Sequence, residues 1–160
     1  MQAGHYDFVI VLLPTEDTHG EHKAASILTL QAVQQLPVEQ RPVVPGAQAS
    51  GSDSGSYQPL RNYLLTATSS SQPAFRFDRD VRFGYADSLS YQIVVDWVIA
   101  EHKSQGLFQN RCRQDRFENF WIFSVSGKDA VDLTSSLFSA ISQRSDAGQQ
   151  TTNSKSGKTH

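Results

Sequence analysis

Cys112 is the only cysteine in 160 residues, which excludes an intrachain disulfide and any cysteine-rich zinc module. Charge is equally unassertive. A formal net charge of -2 gives no electrostatic reason to expect nucleic acid or an anionic membrane as partner. No apolar run approaches the ~20 residues that a membrane-spanning helix needs, so no integral membrane segment is expected. Met1 to Asp7 lack the basic start and cleavage site of a signal peptide. Neither a phosphate-binding P-loop nor a GxGxxG pattern occurs, and no internal repeat is visible. These absences leave a soluble, cytoplasmic, mixed α/β domain as the expectation.

A hydrophobic content of 38% is enough for one domain with a real core. Phe8 to Leu13 is a continuous aliphatic run, which suits a central parallel strand covered on both faces and ended by Pro14. A helix should begin near Thr18. Thr18 and Glu21 have the spacing of a capping box, and Ala25, Leu28, Ala32 and Leu36 recur at helical spacing, backed by Ile27, Leu30 and Val33. Residues 41–57 turn to Pro, Gly, Ser and Ala and read as a mobile surface loop. Tyr63 to Thr68 reads as a strand, and Phe75 to Asp78 and Val81 to Phe83 as extended chain. A second helix is expected over 87–105, buried along Leu89, Ile93, Trp97 and Ala100 and widened by Val94 and Val98, with Gly106 as its cap. Phe117 to Val125 is the second strong strand. Ala130 to Ile141 reads as a short helix with Val131, Leu133, Leu137 and Ile141 inward. The domain then spans 1–142, and 143–160, being small and polar, reads as a disordered tail.

The chemistry gathers after the first strand. His19 and His22 stand three apart at a helix start, so both can project from nearly one face. Imidazole is a common ligand for zinc and related divalent metals. Glu16 and Asp17 precede the pair, and carboxylates there can support metal charge or orient a histidine. The positive end of the helix dipole favours neutral imidazole. On spacing alone, two such histidines are more often solvated surface groups, and helix capping is a sufficient account of Glu21. His102, in the last turn of the second helix, suits the dipole there, while Ser104 and Gln105 could simply face water.

The run Leu13-Pro14-Thr15-Glu16-Asp17-Thr18-His19-Gly20-Glu21-His22-Lys23-Ala24-Ala25 resembles the second signature of the LmbE-like, or PIG-L-type, metal-dependent N-deacetylases, a P-x-D-x-H-x-x-H-x-x-A type motif after a strand. Ala100-Glu101-His102-Lys103-Ser104-Gln105 is similar to the A-x-H-x-S-Q segment of that family, and Phe117-Glu118-Asn119-Phe120 echoes its E-x-F. The resemblance runs from about Tyr6 to Val125. It implies a Rossmann-like three-layer α/β fold with a mostly parallel sheet. It also implies hydrolysis of an N-acetylated amino sugar or similar amide, with zinc or another divalent metal as cofactor. His22 then matches the metal ligand and His19 the histidine that assists the leaving amine or the oxyanion. Glu21 matches an often acidic neighbour, and Asp17, His102, Ser104 and Gln105 fall in the pocket. The family's first signature, P-H-P-D-D-E, which supplies two ligands and the general base, occurs nowhere in the chain. The resemblance therefore implies an N-terminally incomplete fold, read either as the C-terminal part of such an enzyme, needing a complementing N-terminal segment, or as a non-catalytic α/β binding module.

Overall fold

A computed structural model describes residues 6–48, 55–101 and 116–153. The fold is mixed α/β, and the chain divides into two units, Met1–Phe77 with Glu118–Ser135 and Asp78–Phe117 with Ser136–His160. Among the described residues no helix is long and apolar enough to cross a membrane.

In the first unit the sheet is built from β1 (Val11–Leu12), β2 (Pro45–Ala47), β3 (Phe75–Asp78) and a later strand, Phe117–Ile122. With the short strands β4 (Arg82–Phe83) and β5 (Leu89–Ser90) between them, that later strand is β6. The order is β1-β2-β6-β3. β1 runs parallel to β2 in the register Val11 to Gly46, and β2 runs antiparallel to β6 in the register Gly46 to Trp121. The described sheet thus has one parallel pair where a mostly parallel sheet was expected. β6 is flanked by β2 and β3 and enters the sheet against the direction of β2.

Two further expectations are corrected by the sheet order. β1 lies at the sheet edge, not its centre, and Ile10 remains 57% exposed because no strand lies beyond it among the described residues. Residues 42–47, expected in a surface loop, are buried, and Pro45–Ala47 among them form the strand between β1 and β6. Pro45-Gly46-Ala47 carries none of the branched or aromatic side chains that mark a strand in sequence. Its composition follows from crowding: a Cβ on Gly46 would lie 2.8 Å from both Leu13 Cδ1 and Phe123 Cε2. Gly46→Ala should therefore cost about 1–3 kcal/mol by overpacking, measured as a lower urea midpoint. A neutral result would mean that the β2–β6 packing is looser than these contacts.

Alternation along β6 sorts the core onto the two sheet faces. Trp121 and Phe123 pack with Leu13, Val44, Tyr57 and Val125 on one face, joined by Leu30 and Val33 of α1 (Gly20–Gln34). Ile122 packs with Val43 and Ala130 on the other. α1 buries Ser26, Leu30 and Val33, while Ala25 and Ala32 are exposed and Leu28 is 63% exposed. The expected stripe is displaced around the helix, because apolar residues recur on more than one of its faces and leave its phase poorly marked. Tyr63 to Thr68 forms a 3-10 turn at Leu64–Thr66 in place of a strand, with Thr68 alone bridging to Phe123.

In the second unit, β4 and β5 make a two-stranded antiparallel pair that leads into α2 (Tyr91–Glu101). The helix starts later than expected because Leu89 and Ser90 pair with Phe83 and Arg82. Its expected buried face is corrected too. Trp97, Val98 and Ala100 are exposed, and half-buried Gln92 donates from Nε2 to Asp96 Oδ1 at 3.0 Å. Gly106 lies outside the described residues.

Arg116 grips Asp78 with Nη2 at 2.6 Å from Oδ2 and also approaches Asp80 at 3.3 Å. The hydrogen bond from Arg116 holds the Asp78 carboxyl below the ordinary aspartate range. A depressed folded value means that this stabilisation is present above the ordinary aspartate pKa and is lost as pH falls through the folded one. Arg116→Gln should return the Asp78 titration toward its ordinary range in a carboxyl-resolved NMR series. An unmoved Asp78 would contradict the pairing.

α3 spans Ala130–Asn153, continuing past the expected boundary at Gln143. Its phase also differs from the one expected from sequence. Ala130, Thr134 and Phe138 are buried, whereas Val131 and Leu133 are about half exposed.

Candidate functional site

The motif turn is built by the carboxyl end of β1. Leu13 donates its N–H to Ala47 O at 2.7 Å, the last ladder bond before Pro14. The next residues are held by side-chain hydroxyls. Thr18 Oγ1 donates to Leu13 O at 2.9 Å and accepts from Thr15 N at 2.9 Å. Since a hydroxyl carries one proton and Thr18 spends its own on Leu13, the 2.9 Å contact between the Thr15 and Thr18 hydroxyls has Thr15 as donor. Tyr57 Oη faces Pro14 O at 3.3 Å and Thr66 O at 3.1 Å. Ser26 Oγ reaches Leu12 O at 2.7 Å and His22 O at 3.0 Å. The Leu12 and Leu13 carbonyls thus accept from the hydroxyls of Ser26 and Thr18, while the Tyr57 hydroxyl lies between the Pro14 and Thr66 carbonyls, nearer to Thr66.

This arrangement corrects the capping expectation. The N-cap of α1 is His19, in extended backbone (φ -54°, ψ 143°) without a side-chain cap. Thr18 has turned inward to the strand, and no capping box forms with Glu21. Glu21 sits exposed in the first turn, where its charge favours the helix dipole.

His19 and His22 are both exposed, on either side of that first turn, with ring centroids 6.3 Å apart in an edge-on arrangement. Glu16 and Asp17 are exposed in the turn itself, and Lys23 Nζ donates to Glu16 O at 3.0 Å. With Zn–N bonds of ~2.1 Å, tetrahedral geometry places two bound imidazole centroids roughly 5 Å apart. The observed separation of 6.3 Å is somewhat wider. Imidazole is a suitable zinc donor, and His22 is the one that the resemblance nominates as ligand, with His19 beside it. Among the described residues no group of three His, Cys, Asp or Glu side chains is placed to hold a metal ion. A catalytic zinc commonly takes three protein ligands. His102, Ser104 and Gln105, the other expected pocket residues, lie outside the described residues.

A separate cavity of about 240 Å³ lies between the end of β6 and the first turn of α3, lined in part by Ser69, Ser124, Ser126 and Asp129. Neither His19 nor His22 lines it.

Ser26 and Tyr57 are parts of the site that sequence reasoning misses. Ser26 carries a usable signal, a hydroxyl one turn after His22 and one turn before core Leu30. Tyr57 carries none, since its contact with Pro14 spans 43 residues. No protein-family model, curated protein or solved structure matches the chain.

Proposed function

We propose that this chain is the C-terminal portion of a zinc-dependent N-deacetylase of the PIG-L/LmbE type, acting in the cytoplasm on an N-acetylated sugar derivative or similar amide. The observation that carries the reading is the exposed His19–His22 pair at the start of α1, immediately beyond the carboxyl end of a parallel-paired strand. Ligands of α/β folds collect at such strand ends. In this reading the sheet is part of a Rossmann-like three-layer fold. A complementing N-terminal segment bearing the absent acidic motif finishes both sheet and site.

Within that site His22 would offer an imidazole nitrogen to the metal. When bound, zinc lowers the pKa of a water and polarises the amide carbonyl. His19 holds the proton needed by the departing amine or stabilises the oxyanion. Glu21 orients its neighbours, and Asp17 with His102, Ser104 and Gln105 borders the substrate.

The experiment combines the purified chain with a separate polypeptide that carries a strand ending in Pro-His-Pro-Asp-Asp-Glu. Release of acetate from an N-acetylated amino sugar is followed with zinc present. Negligible release by the chain alone and catalytic release by the pair, abolished by His22→Ala, are the expected results. If the pair associates and binds zinc without hydrolysis, a non-catalytic binding module is the correct description.

A further inference from the structure

We infer that Thr18, Ser26 and Tyr57 are positioning residues, whose hydroxyls fix the carboxyl end of β1 and thereby the mutual placement of His19 and His22. The bearing of this inference on metal binding rests on the proposed metal site; its bearing on the turn does not.

Backbone acceptors near the end of a strand need partners, and water or another strand normally provides them. Here Leu12 and Leu13 each accept from a hydroxyl, and Pro14 shares the Tyr57 hydroxyl with Thr66 O; the three hydroxyls belong to parts of the chain that must come together independently. Ser26 is almost wholly buried, and its Oγ spans from Leu12 O, on the strand, to His22 O, on the helix. It ties the histidine-bearing turn of α1 directly to β1. Thr18 adjoins His19 and locks the intervening turn back onto Leu13. Tyr57, buried with its ring 6.3 Å from that of Trp121, places its hydroxyl between the Pro14 and Thr66 carbonyls and so ties the turn to the Thr66 segment from the core side. Burial raises its phenol above the usual range, which keeps the donor protonated.

None of these groups has a better local use. Serine within an apolar helix face contributes less packing than alanine or leucine would. Threonine at 18 stands where it could have capped α1 and instead donates to Leu13. Phenylalanine at 57 would fill the core as well as tyrosine.

The test uses the full chain with Tyr57→Phe, Ser26→Ala and Thr18→Val, each removing one hydroxyl while keeping most of the shape, and Thr18→Ser as the conservative rescue. Two quantities are read by NMR: amide hydrogen exchange over residues 15–22 in metal-free protein, and the imidazole resonances of His19 and His22 during zinc titration. The expected result is faster exchange in that segment, about 3- to 10-fold per hydroxyl removed, relative to the β6 amides of the same sample. Zinc affinity should fall by a similar factor, with Thr18→Ser restoring most of both. Should the wild-type chain alone show no imidazole response to zinc, the exchange data alone decide the positioning role, and the metal site is judged on the complemented chain. Exchange over 15–22 that changes no more than β6 in Tyr57→Phe and Thr18→Val overturns it. So does an unchanged zinc affinity in all three variants of a chain that binds zinc, because hydroxyls that merely stabilise the fold would leave the histidine pair intact. Ser26→Ala need not fold for either outcome to be read, since the other two variants carry the same readouts.

Discussion

Trp121→Ala is expected to lower the free energy of unfolding by about 3–5 kcal/mol, read from the urea midpoint at an unchanged slope. Trp121 is 1% exposed and belongs to the cluster that joins β1, β2, β6 and α1 through Leu13, Val44, Phe123 and Leu30. Truncation removes the largest fully buried side chain and deletes the Nε1 bond to Ser71 O at 3.0 Å. It also withdraws the neighbour against which the Tyr57 ring is set. Domains of this kind are stable by only about 5–15 kcal/mol, so the variant should lose a large part of its margin. Val131→Ala serves as control. Val131 is half exposed, and its change should stay within about 0.5 kcal/mol. Equal effects at the two positions would contradict the placement of the core on the α1 face of the sheet.

Zinc at about a hundred times its dissociation constant should stabilise the chain by about 2.7 kcal/mol, because a ligand that binds only the folded form shifts the equilibrium by mass action. For a chain of this size that corresponds to a rise in Tm of about 5–10 °C. His22→Ala should abolish the rise and His19→Ala should reduce it, with the metal-free Tm of both close to wild type, since both side chains are exposed. A zinc-dependent rise that survives His22→Ala would remove His22 from the metal site. No rise in the wild type would favour a binding module, and the complemented chain would then be the deciding case. The calorimetric arm reads occupancy and the acetate assay reads chemistry, so the two claims can fail separately.

The hydroxyl clamp matters to both expectations. It sits between the buried cluster and the motif turn, and Tyr57 touches both: its ring lies in the Trp121 cluster and its hydroxyl faces Pro14 and Thr66. Damage to the core at Trp121 should therefore reach the motif turn, whereas removal of an exposed histidine should not reach the core.

Much of the local structure is legible in sequence. The helix after the motif, the β6 strand in its aromatic run and the extended pieces at Phe75 to Asp78 and Arg82 to Phe83 all follow from periodicity and residue type. Packing phase is not legible in α1, α2 or α3. In α1, apolar residues occur at Ala25, Ile27, Leu28, Leu30, Ala32 and Val33, and several stripes satisfy the same pattern. Only the contact with Leu13, Trp121 and Phe123 selects Leu30 and Val33. β2 is illegible for a different reason: its short, small residues are dictated by the neighbours they admit, and Gly46 makes sense only beside Leu13 and Phe123.

What the sequence by itself determined is therefore local. It set the order of strand, turn and helix around His19 and His22, because hydrophobic runs, proline and helix period act over a few residues. Tertiary structure alone decided that β1 is an edge strand among the described residues, that Pro45–Ala47 lies inside the sheet and that Thr18 bonds inward rather than capping α1. Each of these depends on groups distant in the chain or on competition between partners: Ala47 is 34 residues beyond the Leu13 N–H it accepts (47 − 13 = 34), and Tyr57 is 43 beyond Pro14. Sequence spacing carries no record of such meetings, since they follow from which surfaces pack once the chain has collapsed.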